Sequence, residues 1–111
     1  MRYTEQGILL RILVGETDKH DGVPLYEVIV LKARELGLAG ASVFRGIMGF
    51  GADSILHTAK VLRLSEDLPV LIEMVDKQEK IDEILSFLDE VVVQGLITYE
   101  KVNIIKYENQ E

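Results

Sequence analysis

The sequence predicts an α+β protein of the ferredoxin-like βαββαβ type with a long insertion between its second and third strands. Two segments carry apolar residues at helical spacing. Each is flanked by short apolar runs of strand length, so the order is strand, helix, strand, then strand, helix, strand. No linker or low-complexity stretch divides the chain, and its 111 residues fit one domain covering 1–111.

Residues 8–14 read ILLRILV, a strand-length apolar run broken once by Arg11 and ended by Gly15. The polar stretch 16–22 predicts a loop. Pro24 suits the first turn of a helix, where its missing N–H costs nothing. Leu25, Val28, Ile29, Ala33 and Leu36 then repeat at helical spacing until Gly37 supplies the stop. Residues 41–47 are strand-like, weakened at the far end by Gly46 and Gly49. Pro69 opens a third strand over 70–75, with Glu73 as its one charge and a partner expected across an interface or exposure at a sheet edge. Asp76 and Glu79 stand at capping-box spacing before a second helix, whose apolar stripe is Ile81, Ile84, Leu85 and Leu88. Gly95 breaks the chain, residues 96–107 read as the last strand, and 108–111 form a polar, frayed tail.

Composition removes several functions. With 48% hydrophobic and 28% charged residues the chain can bury a core and keep a soluble surface. It has no cysteine, which excludes disulfides, cysteine metal sites and thiol catalysis, and it has only His20 and His57. The net charge of −7 leaves no basic footprint for nucleic acid or anionic membranes. Residues 1–7 lack the apolar core of a signal peptide, and no apolar stretch approaches the ~20 residues of a membrane span. A cytoplasmic protein without membrane insertion is expected.

The connection 46–68 is about twenty residues long where a hairpin needs only a few, so function is expected there. Its glycines, Gly46, Gly49 and Gly51, read equally as turn formers, and residues 55–64 suggest a short helix. The alternating Glu16, Asp18, His20 and Asp21 invite a metal reading, but the glycine and His20 stand at the wrong places for a calcium loop. His57, near Asp53 and Ser54, lacks the rigid scaffold that a catalytic triad requires. Arg45 reads as a phosphate ligand or an intersubunit ion pair.

Longer motifs carry a resemblance. Gly37-Leu38-Ala39-Gly40-Ala41-Ser42-Val43 followed by Gly49-Phe50-Gly51 resembles the second-strand region and T-loop root of nitrogen-regulatory PII proteins. Residues 45–51, His57-Thr58 and Leu64-Ser65-Glu66-Asp67-Leu68-Pro69 are closer to an uncharacterised PII-like family of bacteria and archaea, a domain of unknown function. Gly15-Glu16, Pro24-Leu25-Tyr26-Glu27 and Gly95-Leu96-Ile97-Thr98 are similar to it as well.

The resemblance implies a homotrimer with an adenine nucleotide in each cleft between subunits. It places Gly40, Ser42, Gly49, Phe50 and Gly51 near base and ribose, and Val75 against the adenine. Glycines suit that role because backbone without Cβ lets a flat ring approach. The chain departs from PII proteins at the phosphates. Residues 91–96 replace their Gly-Asp-Gly-Lys loop, and Lys106 alone stands near their two arginines. A triphosphate, with about four charges, needs more cations than this. The resemblance therefore points to a non-enzymatic sensor that binds AMP or ADP rather than ATP, with Gly40, Ser42, Arg45, Gly49, Phe50, Gly51, Val75 and Lys106 as its site. No resident cofactor is required. The loop 46–68 would regulate a protein partner such as a transporter or channel. The alternative is a nucleotide-free trimeric interaction or divalent-metal-tolerance protein.

Overall fold

The first apolar run grows into β1, Arg2–Gly15, in a computed structural model that describes residues 1–50, the backbone of 57–58, and residues 67–109. The polar half of β1 carries no strand signal because it lies beyond the helices. There Arg2 to Gly7 pair with Tyr107 to Val102 in a ribbon exposed for most of its length. The stretch expected as a loop holds a small hairpin, β2 (Lys19–His20) with β3 (Val23–Pro24). Asp21 and Gly22 turn it with φ of 51° and 81°, the two positive values that a tight two-residue turn requires.

Helix α1, Leu25–Glu35, follows Pro24 directly and buries Leu25, Ile29 and Ala33. Gly37, at φ 80°, reverses the chain after it. The Leu38 amide donates to the Ala33 carbonyl at 3.0 Å and the Gly37 amide to that of Arg34 at 3.1 Å, a Schellman closure. Next come β4 (Ala41–Arg45), β5 (Met48–Gly49), β6 (His57–Thr58), β7 (Pro69–Asp76), α2 (Gln78–Val91) and β8 (Leu96–Tyr107). The short helix expected over 55–64 falls mostly outside the described residues. The two that are described form β6, antiparallel to β5, so they are not helical.

The main sheet runs β4-β7-β1-β8 with every neighbour antiparallel. This is the strand order of a ferredoxin-like fold, as the element order predicted. Alternation along the strands decides the two faces. Ile8, Leu10, Ile12 and Val14 of β1 pair with Asp76, Met74, Ile72 and Val70 of β7 and face the helices. All but Asp76 form one core with Ile29 and Ala33 of α1 and Ile81, Ile84 and Leu88 of α2. Ile12, Ile72 and Ile84 are fully buried, so truncating any of them to alanine costs about 2–5 kcal/mol.

Among the described residues no helix covers the opposite face. Leu9, Leu13 and Leu71 are half-buried there, while Phe44 and Leu96 are exposed. At its middle Arg11 Nε donates to Glu73 Oε2 at 3.0 Å, and Arg11 Nη1 to Glu100 Oε1 at 3.3 Å. Glu73 therefore lies on an inner strand and is paired within the chain, not at the sheet edge its lone charge suggested. Among the described residues no helix is long and apolar enough to cross a membrane.

Candidate functional site

Two clefts lie at opposite ends of the open sheet face. The first, of about 390 Å³, sits where β4 begins and β7 ends. Its walls come from Glu5 and Leu9 of β1, residues 39–42, residues 73–76, and Ile104 and Lys106 of β8. Gly40, Ser42, Val75 and Lys106, singled out from the sequence, are thus brought together. A Cβ added to Gly40 would meet nothing within 4 Å. Among the described residues no packing demands glycine there, and the bare backbone opens onto the cleft.

The loop that carries Gly40 is fastened at both ends. Behind it stands the Schellman closure of α1, and Lys80 Nζ donates to the Leu36 carbonyl at 2.7 Å. In front, the buried Asp76 carboxylate accepts the Ala39 amide at 2.8 Å through Oδ2 and the Lys77 amide at 2.7 Å through Oδ1. The expected capping box does not form. Lys77 takes the N-cap position without a side-chain hydrogen bond, because Asp76 is spent on holding residue 39. Sequence reasoning missed this positioning role, because the contact joins residues 37 positions apart and an aspartate before a helix reads as a cap.

The electrostatics of this cleft are mixed. Lys106 Nζ lies 3.9 Å from Glu5 Oε1, and Glu73 is held by Arg11. The hydrogen-bonded Glu73 carboxylate raises the Arg11 guanidinium above its already high ordinary pKa, with Glu100 adding to the effect. Among the described residues lining the cleft, Lys106 is the one cation.

The second cleft, of about 480 Å³, lies at the other end, lined by Leu13, Val14, Phe50, Pro69 and Leu96 with Gly15, Asp18, Asp67, Gln94 and Gly95. Phe50 is 65% exposed at its edge. The Pro69 ring packs between two glycines: a Cβ at Gly46 or at Gly49 would lie 2.8 Å from its Cγ. The root of the 46–68 connection is pinned further by the Gly46 amide on the Pro69 carbonyl (2.7 Å) and the Glu16 amide on that of Leu68 (2.9 Å). Asp67 Oδ1 also accepts the Thr17 amide at 2.9 Å.

The remaining sequence candidates divide. Gly49 stands beside Pro69 near the second cleft. Arg45 lines neither cleft: its Nε pairs with Glu16 Oε2 at 2.7 Å within the same chain. Gly51 lies outside the described residues, as do Asp53 and Ser54. The metal reading of the 16–21 loop finds each group otherwise engaged. Glu16 holds Arg45, Asp18 accepts the Gly15 amide, and His20 faces Asp21 at 3.4 Å. Among the described residues no cluster of three metal-ligating groups occurs.

One distance governs how the clefts can be used. Val75 of the first and Pro69 of the second are six residues apart on β7, about 20 Å at strand rise. A mononucleotide cannot fill both within one chain.

The chain matches a family model, curated relatives and solved structures. The model of the DUF190 family, described as Uncharacterized ACR, COG1993, matches residues 7–104. A UPF0166 protein of Aquifex aeolicus (strain VF5) is 40% identical over 99 residues, 87% of this chain and 91% of the relative. Among solved structures, CPII from Thiomonas intermedia K12, a nitrogen regulatory PII-like protein bound to ADP, AMP and bicarbonate, superposes with a TM-score of 0.67 at 13% identity. The superposition covers 92% of this chain and 91% of CPII. The B. subtilis GlnK-ATP complex gives a TM-score of 0.58 at 16% identity, over 87% of this chain and 82% of GlnK.

Proposed function

The chain belongs to the DUF190 family, and from that premise we propose that it is a PII-like sensor that binds an adenine nucleotide between the subunits of a homotrimer. One observation carries the reading. Gly40, Ser42, Val75 and Lys106 line one cleft and Phe50 the other, at opposite ends of a sheet and too far apart for one ligand to span. A second copy, apposing its second cleft to the first cleft of its neighbour, completes a site that neither chain has alone. CPII, of like fold, binds ADP and AMP.

The open sheet face supports the assembly. An antiparallel sheet with helices on one side normally presents polar residues on the other. Here Leu9, Leu13, Phe44, Leu71 and Leu96 occupy that side, and two further copies would cover them. Gly40, Ser42 and Val75 then receive the base and ribose, and Phe50 from the neighbour closes over the ring. Lys106 faces the phosphate end. One cation supports AMP or ADP over ATP, since each further phosphate adds charge without adding a donor.

The protein is read as a regulator and not an enzyme on its likeness in fold to CPII, a nitrogen regulatory PII-like protein. Nucleotide contacts at residues 49–51 would bias the 46–68 connection between states. That bias requires different affinities for the two states, since equal affinity shifts nothing. The regulated partner is a protein, of the transporter or channel class, and the setting is the cytoplasm. Titration calorimetry with AMP, ADP, ATP and cyclic AMP tests the reading: AMP or ADP binds at one site per protomer. No heat and no thermal shift with any of the four would overturn it.

A further inference from the structure

We propose that Glu5 sets the phosphate preference of the first cleft by holding Lys106, an inference that rests on the nucleotide reading above. Glu5 stands opposite Ile104 and Lys106 opposite Tyr3 in the β1–β8 ladder, so the two are diagonal neighbours on the open face. Both line the cleft, both are about one-third exposed, and the ammonium lies 3.9 Å from the carboxylate.

The other carboxylates of the cleft are committed elsewhere. Glu73 is bound by Arg11 at 3.0 Å, and both oxygens of Asp76 accept backbone amides. Glu5 is engaged with Lys106, the one cation among the described lining residues. At 3.9 Å the pair is loose, so the ammonium keeps donors for an incoming phosphate oxygen. The anion must then share Lys106 with a full negative charge that cannot leave, because Glu5 is anchored in the strand ladder.

The consequence depends on ligand charge. Adenosine brings none and is indifferent to Glu5. A monophosphate brings up to about two negative charges and meets a balanced pair. Each additional phosphate adds repulsion from Glu5 while the positive charge stays fixed. Glu5 thus discriminates by phosphate count, and the apolar and hydroxyl-bearing walls, Leu9, Val75, Ile104 and Ser42, read the nucleoside.

The test is calorimetry with adenosine, AMP, ADP and ATP on the full chain, its Glu5→Gln variant and its Glu5→Asp variant, each first checked for an unchanged assembly state. Glu5→Gln keeps the size of the side chain and removes its charge. It should tighten ATP about fivefold or more relative to AMP at low salt, leave adenosine unchanged, and lose the difference at high salt. Glu5→Asp keeps the charge and should keep the preference of the unsubstituted chain. If AMP binds the unsubstituted chain but the ATP-to-AMP ratio is the same in Glu5→Gln, this inference is overturned and the nucleotide reading stands. If no nucleotide binds the unsubstituted chain, both are overturned.

Discussion

Replacing Asp76 by alanine is the sharpest perturbation of the first cleft that leaves its lining otherwise intact. The carboxylate is 7% exposed and accepts two amides at 2.8 and 2.7 Å, from Ala39 and Lys77. A hydrogen bond to a charged group contributes about 1.5–3 kcal/mol. Ala39 and Lys77 are exposed, so water recovers part of each bond when the acceptor is removed. Asp76→Ala should therefore cost about 2–4 kcal/mol, and Asp76→Asn, which keeps one acceptor oxygen, roughly half as much. Urea unfolding at fixed protomer concentration measures this and holds constant the contribution of the proposed assembly. AMP affinity should fall in the same order, since residues 39–42 line the cleft that Asp76 braces. A loss below about 0.5 kcal/mol for Asp76→Ala would refute the reasoning. The Schellman closure and the β4–β7 ladder would then hold the loop unaided.

Three further outcomes are expected. Gly40→Ala, where a Cβ meets nothing within 4 Å, should leave stability within about 0.5 kcal/mol while weakening AMP binding. Gly46→Ala drives a Cβ to 2.8 Å from the Pro69 ring and should cost about 1–3 kcal/mol in the same urea experiment. Arg11→Met tests the covered face: the pair is 40% and 32% exposed in a lone chain, where its loss costs about 1 kcal/mol or less. Buried by neighbouring copies, the same loss costs about 3–5 kcal/mol and should dissociate the assembly in analytical ultracentrifugation.

Legibility in the sequence followed burial. The apolar residues 8–14 of β1, those of β7 and the stripes of α1 and α2 showed their elements, because a covered face imposes a period. Arg2 to Gln6 gave no such signal, since the ribbon they form with β8 is covered on neither side and needs only backbone pairing. The Asp21–Gly22 hairpin was legible in its dipeptide but lies in a polar stretch that looks like any loop. Gly40, Ser42, Val75 and Lys106 lie together because one turn and the ends of β4, β7 and β8 meet there, and only the resemblance named them as a group. Arg45 went the other way. Its partner Glu16 is brought close only by the fold, and nothing in the spacing of the two announces the pair. Asp76 hid behind a simpler role, since an aspartate before a helix reads as a cap.

Each binding site is proposed to be shared between two copies of the chain. Mixed assemblies test it most directly. Val75→Glu spoils the first cleft and Phe50→Glu the second, so neither homogeneous variant should bind AMP. Co-expressed in equal amounts and purified together as trimers, they should recover AMP binding at about a quarter of the sites, those where two unspoiled halves meet. Mixed trimers that assemble but bind no AMP, beside an unsubstituted protein that does, would contradict the shared site.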